Sequence, residues 1–308
     1  MSAMIENATP TPEADSPLVA LMDLQTTADG RLRGQSLDVG GRSVFGGQVV
    51  AQALVAAQRS LLEPRTPHSL HAYFLQPGSQ YQPIEYQVER LRDGRSFTAR
   101  RVQAMQGGTP ILSMIASFQR EEEGFEHSTP MPDVPSPERL PPITVLREEW
   151  IREAPETHPI MQAVLRRDFP VDVRPVHRWN PLRPQHDEPR QAVWFRLMGR
   201  IPDDDAVHRA LLAYASDFYL LSCTVKPHGQ AWYSADLIAA SLDHALWFHR
   251  PARVDQWLLY TMDSPTAQSA RGLALGRIWD REGRLVASVA QEGLIRRIGG
   301  DRPWLRQS

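Results

Sequence analysis

One spacing recurs along this chain, and it constrains the fold more than any other feature. Phe74-Leu-Gln-Pro77 lies over Phe248-His-Arg-Pro251, and Ile111-Leu-Ser-Met-Ile-Ala116 over Leu285-Val-Ala-Ser-Val-Ala290, each at an offset of 174 residues. Two separate segments agreeing without a gap point to a duplicated unit. The helical segments ahead of them, Ala53-Leu-Val-Ala56 and Ala210-Leu-Leu-Ala213, match at an offset of 157, so the second copy carries 17 extra residues between helix and next strand. A chain of 308 residues has room for two such units, each with its own core. On pattern alone, the alternative is two unrelated domains that share apolar spacing.

Each copy runs from one helix into antiparallel strands, an α+β order. Gly46 to Arg59 is proline-free, rich in alanine and apolar on most faces, which predicts a buried helix. His71–Leu75, Ile84–Leu91, Phe97–Met105 and Ile111–Gln119 read as strands, with an Asp93-Gly94 turn and a Gly107-Gly108 turn between them. The second copy repeats the order with a helix over Ala206–Leu221 and strands over Ala245–Phe248, Trp257–Met262, Ala270–Asp280 and Leu285–Arg296. Half of the 26 prolines fall between Pro130 and Pro189, a stretch that reads as a connection with short helical pieces such as Ile143–Arg152. The expected divisions are a disordered tail over 1–16, a first unit over 17–120, a proline-rich linker over 121–168 and a second unit over 169–300.

Composition removes several classes of function. The net charge of −2 argues against nucleic-acid binding or stable membrane association, and Lys226 is the only lysine. Cys223 is the only cysteine, which excludes an internal disulfide and a cysteine-built metal site; it reads as an ordinary buried thiol. The first 16 residues lack the basic start and apolar core of a signal peptide, and the final Trp-Leu-Arg-Gln-Ser is not a peroxisomal signal. A cytoplasmic location is expected.

Six motifs carry a resemblance. Phe45-Gly-Gly-Gln-Val-Val-Ala-Gln-Ala-Leu54, His68-Ser-Leu-His-Ala-Tyr-Phe-Leu-Gln-Pro-Gly78, Arg92-Asp-Gly-Arg-Ser-Phe-Thr-Ala-Arg-Arg101, Ala213-Tyr-Ala-Ser-Asp-Phe218, Ser241-Leu-Asp-His-Ala-Leu-Trp-Phe-His-Arg-Pro251 and Val286-Ala-Ser-Val-Ala-Gln-Glu-Gly293 resemble the type II acyl-CoA thioesterase family, in order, from about Leu18 to Arg296. The resemblance implies a tandem hot-dog fold, two curved antiparallel sheets each wrapped around a long central helix and joined side by side. It implies hydrolysis of acyl-CoA to free acid and CoA, no metal or organic cofactor, and a homo-oligomer, dimer or tetramer. The family's catalytic Asp, Ser or Thr, and Gln fall on Asp217, Ser241 and Gln291; many relatives carry threonine at the hydroxyl position.

These residue types suit the reaction. A carboxylate can take a proton from water, while a hydroxyl and an amide fix the water's position. Backbone N–H groups near a helix start and the Gln291 amide would receive the oxyanion. By the offsets above, Asp217, Ser241 and Gln291 correspond to Ser60, Pro67 and Ser117, so the first copy lacks the carboxylate and the amide and one working site per chain is expected. Gly46 and Gly47 could free N–H groups toward substrate or simply allow close packing. His68 could border the site or be structural. Arg95, Arg100 and Arg101 suit CoA phosphates but also read as exposed strand residues. His244 and His249 lie five apart on a strand and are poor joint metal ligands. The competing functions are a non-catalytic acyl-CoA-binding protein and an enoyl-CoA hydratase; the absence of Gly-x-Ser-x-Gly disfavours a serine hydrolase.

Overall fold

A buried helix in each half needs a sheet to cover it, and the computed structural model shows how the two halves share one. It describes residues 14–40, 43–167, 169–232 and 234–298. Residues 1–13 of the expected tail, the linker's last residue Asp168 and positions 299–300 of the second unit lie outside them. Ser16 and Asp15 of the same tail bond to Arg200, through Ser16 N–H to its carbonyl at 3.1 Å and Asp15 to its guanidinium.

In chain order the first half holds α1 (Pro17–Met22), β1 (Gln25–Thr26), β2 (Leu32–Gly34), α2 (Gly46–Arg59), β3 (Thr66–Phe74), β4 (Ile84–Asp93), β5 (Phe97–Gln106) and β6 (Thr109–Gln119). The connection carries α3 (Ile143–Glu153) and α4 (Pro159–Leu165). The second half adds β7 (Val171–Pro175), β8 (Arg190–Leu197), α5 (Asp205–Ser216), β9 (Leu237–Ser241), β10 (Asp243–Phe248), β11 (Leu258–Gln268), β12 (Arg271–Trp279) and β13 (Leu285–Arg297). Among the described residues these strands form one antiparallel sheet, ordered β1-β2-β4-β5-β6-β3-β10-β13-β12-β11-β8-β7, with β9 also on β13. The halves meet where β3 pairs with β10, Leu70 opposite Leu246. This is the double hot-dog arrangement: α2 and α5 pack on each other, and their buried faces join one core with the inward residues of β3–β6 and β10–β13.

Three expectations change. The helix predicted to reach Leu221 ends at Ser216, with Asp217 at its C-cap and Tyr219 left-handed at φ 63. The proline-rich stretch contains β7, whose Pro175 sits at the end of an outermost strand, where a missing N–H breaks no interior ladder. The connection packs on the second half: Met131, Val134 and Leu140 lie on Trp194, Trp257 and Trp279, and the Trp194 indole donates to the Pro135 carbonyl at 2.9 Å.

The third change concerns the repeat. Val102 opposes Met114 and Ala72 opposes Met114 in the first half; Gly276 opposes Val289 and Leu246 opposes Val289 in the second. Strands β3 and β5 therefore map on β10 and β12 at 174, but β6 maps on β13 at 175. The added residue lies in the β12–β13 turn, which is longer than the Gly107-Gly108 hairpin. A slip of one residue turns every side chain to the other face, so the counterpart of the inward Gln291 is the inward Ala116, not Ser117.

Candidate active site

Asp217 owes its position to the break in α5. The helix stops, the chain turns through left-handed Tyr219, and the carboxylate is left facing the first turn of α2. There Oδ2 accepts the Gly47 N–H at 2.7 Å. The α2 N-cap is Phe45, which has no side-chain acceptor, so Asp217 supplies from the other half the negative charge that a helix start favours. Glycine is required at both leading positions. A Cβ on Gly46 would lie 2.9 Å from Asp217 Oδ2 and from the Phe74 ring, and one on Gly47 would strike the Tyr214 carbonyl and the Phe45 ring. The packing role read from sequence thus holds at both, while the Gly47 N–H is taken up by Asp217 and not turned toward substrate.

Gln291 reaches Asp217 from β13. Its Nε2 donates to Asp217 Oδ1 at 2.8 Å and to Ser241 Oγ at 2.8 Å. Ser241 ends β9, opposite Gly293 of the same strand, which brings its hydroxyl beside the amide. Gln291 is 1% exposed, whereas Asp217 and Ser241 are half-buried, so the carboxylate and hydroxyl face the open side. All three line a cleft of about 2060 Å³, together with Gly46, Phe74 and Phe218. Phe45, Phe169, Tyr214 and Phe218 form an aromatic group beside it, Phe45 stacked on Phe218 at 4.6 Å.

Behind Gln291 lies a layer that sequence reasoning missed. His244 is fully buried, with Nδ1 3.2 Å from Gln291 Oε1 and Nε2 2.8 Å from Ser216 Oγ. Tyr260 donates its hydroxyl to the Ser216 carbonyl at 2.7 Å. Burial holds the His244 imidazole below its usual range, against an opposing pull from Asp217. Burial, then the Asp217 charge, raises the Tyr214 and Tyr260 phenols, so both stay protonated. The signal for His244 lay in its motif, Ser241-Leu-Asp-His244, but only the register of β10 turns it inward. His249 faces outward, bonded to Ser288 Oγ at 2.9 Å.

His68, Arg95, Arg100 and Arg101 stand apart from the cleft. His68 bonds to Ser117 Oγ at 2.8 Å, and Arg101 pairs with Glu89 on the outer face of the sheet. Arg95 sits in the β4–β5 turn, beside the C-terminal end of α2, roughly 20 Å along the helix from Gly46. Arg100 is 0% exposed and does not face solvent as its sequence pattern suggested. Its guanidinium donates to Ser60 Oγ, at the α2 C-cap as Asp217 is at that of α5, at 2.9 Å and to Asp93. The lysine and arginines on the cleft are instead Arg147, Arg167 and Lys226, Arg167 paired with Asp38 and Lys226 with Asp187, each at 2.8 Å.

Two family models match the chain, one described as acyl-CoA thioesterase over residues 160–294 and one as acyl-CoA thioesterase N-terminal domain over residues 35–119. Acyl-CoA thioesterase 2 of Haemophilus influenzae is 40% identical over 279 residues, covering 91% of this chain and 96% of that protein. The chain belongs to the acyl-CoA thioesterase family. In structure this thioesterase is similar to acyl-CoA thioesterase II TesB2 of Mycobacterium marinum, with a TM-score of 0.74 and 39% identity over 92% of this chain and all of that one. A hot-dog-fold protein from Alicyclobacillus acidocaldarius, 21% identical, superposes with a TM-score of 0.69 over 91% of this chain and 97% of that one, a likeness of fold alone. The thioesterase is an acyl-CoA thioester hydrolase.

Proposed function

We propose that this thioesterase hydrolyses fatty acyl-CoA to free fatty acid and CoA by attack of a water that Asp217 deprotonates and Ser241 and Gln291 hold in place. The observation that carries the reading is the convergence of the Gln291 amide on both Asp217 Oδ1 and Ser241 Oγ, each at 2.8 Å, at the wall of a large cleft. Both Gln291 amide protons are committed there, so the amide is a brace for the other two groups, and the oxyanion donor falls to the Gly46 N–H at the start of α2. A preorganised donor of this kind contributes about 3 kcal/mol. Ser241 accepts from Gln291 and so keeps its own proton for the water or the thioester carbonyl. Asp217 retains lone pairs on both oxygens for the water proton. The CoA thiolate, with a thiol pKa of about 8.5, leaves without an acid.

The apolar residues of the cleft suit a fatty chain, and Arg147 in its lining suits a CoA phosphate. The reading includes a cytoplasmic homo-oligomer, dimer or tetramer. The sheet ends on the one-sided edges of β1 and β7, which supports self-association; no described helix is long and apolar enough to cross a membrane. The test is thiol release from saturated acyl-CoAs of graded length. Asp217→Asn keeps an acceptor for Gly47 but loses the base, and its kcat/KM should fall by about 10²–10⁴-fold. Release at the wild-type rate from this variant would refute the assignment; hydration of enoyl-CoA with no thiol release would favour a hydratase.

A further inference from the structure

We propose that His244 is a positioning residue for this hydrolysis, holding the Gln291 side-chain amide in the one orientation that turns its NH2 group toward Asp217 and Ser241. The proposal rests on the assignment of Asp217, Ser241 and Gln291 given above. A primary amide is nearly symmetric in shape, so a half-turn exchanges its oxygen and nitrogen at little steric cost. Turned the wrong way, Gln291 would aim a carbonyl at the Asp217 carboxylate and leave Ser241 without its donor.

His244 prevents that turn by chemistry rather than by bulk. Its Nδ1 lies 3.2 Å from Gln291 Oε1, an atom that only accepts, so Nδ1 carries the proton. The neutral ring then has a bare Nε2, and the Ser216 hydroxyl, 2.8 Å away, turns its one proton to that nitrogen in place of the Ala213 carbonyl at 2.9 Å. Ser216 is the last residue of α5, one before Asp217, and its own carbonyl is fixed by the Tyr260 hydroxyl at 2.7 Å. A chain of hydrogen bonds thus runs from the end of α5 through β10 to β13 and returns to Asp217. Burial favours the neutral ring that this chain requires.

The first half supplies the control. The inward row His244, Gln291, Ala274 of the second half corresponds to Leu70, Ala116, Arg100 of the first. Leu70 is 0% exposed and fills the histidine's place on the same kind of strand. The fold therefore has no need of an imidazole at this position. The histidine occurs only in the half that holds the glutamine.

The test compares His244→Leu with His244→Asn, two side chains of similar size of which only asparagine can put an N–H against Gln291 Oε1. In His244→Leu, kcat for acyl-CoA hydrolysis should fall by about 10–100-fold with KM within about twofold, because a misoriented brace misplaces the water and not the acyl chain. His244→Asn should return to within about threefold of wild type. Equal kcat values in the two variants, or a loss confined to KM, would overturn the proposal. Should the leucine variant fail to fold, nitrogen NMR of ¹⁵N-histidine-labelled wild type decides, with His244→Asn identifying the resonance. A protonated Nδ1 and bare Nε2 at pH 7 are expected; a protonated Nε2 would overturn the idea. Asp217→Asn run alongside separates the two levels: wild-type activity there removes both the assignment and this proposal, whereas a dead Asp217→Asn with an unimpaired His244→Leu removes only the proposal.

Discussion

Gln291 has two amide protons, and both are committed before substrate arrives, one to Asp217 and one to Ser241. Removing the Ser241 hydroxyl leaves one of those protons unmet in a nearly buried group, which costs about 1–3 kcal/mol. Ser241→Ala should therefore lower kcat/KM by about 10–100-fold without unfolding the protein, as thiol release and a melting curve would show. Cys223 is the opposite case, a polar-looking residue with no part in the chemistry. Its thiol is fully buried and pushed up to about 12 by burial first and the Asp263 charge second. At pH 8 it should be inert to a disulfide reagent in the native protein and react as a single thiol in denaturant. Reaction in the native state would contradict the burial.

Among the elements, the meeting of α5 and α2 decides the site. The C-terminal break of one helix delivers a carboxylate to the N-terminal turn of the other, so the proposed base also caps its neighbour across the duplication. Gly47→Ala tests that contact. Its Cβ would meet the Tyr214 carbonyl and a Phe45 ring atom at 2.6 Å, and the turn must retreat from Asp217. We expect a loss of about 1–3 kcal/mol in stability together with a fall in kcat, measured by denaturant unfolding and thiol release. Substitution at Gly107, where a Cβ has nothing within 4 Å but φ is +54, should cost stability through backbone strain and leave kcat alone.

For the whole molecule, two buried histidines set the acid limb of stability. His208 and His244 are held below their ordinary value of 6.5, chiefly by burial, and the half-buried His68 adds to them in the same direction. Below pH 6.5 the unfolded chain takes up protons at these positions while the folded chain does not, so acidification favours unfolding. Asp243, raised by burial, binds its proton more readily when folded and works in the opposite direction at lower pH, above its ordinary 3.8. The denaturation midpoint should fall between pH 7 and 5.5, and His244→Asn should make that fall shallower; an unchanged slope would show that His244 titrates alike in both states.

The duplication, the helix-then-strands order and the family motifs were legible in the chain because each is local: a run of apolar residues, a turn dipeptide, a string of adjacent side chains. The same locality explains the misreadings. Ile111-Leu-Ser-Met-Ile-Ala116 and Leu285-Val-Ala-Ser-Val-Ala290 are apolar on both faces, so their pattern could not pin the register, and Gln291 was set against Ser117 when its inward partner is Ala116. Arg100 looked exposed because charge normally is, yet a pocket made by Ser60 and Asp93, residues 40 and 7 positions away, satisfies it. By its motif alone His244 is one more histidine on a strand. Residue order suffices to say which chemistry this protein carries. Which face each strand turns inward, and so which second layer holds the amide, follows only from hydrogen-bond pairing across the sheet, because a side chain's direction depends on the register of a partner strand distant in sequence.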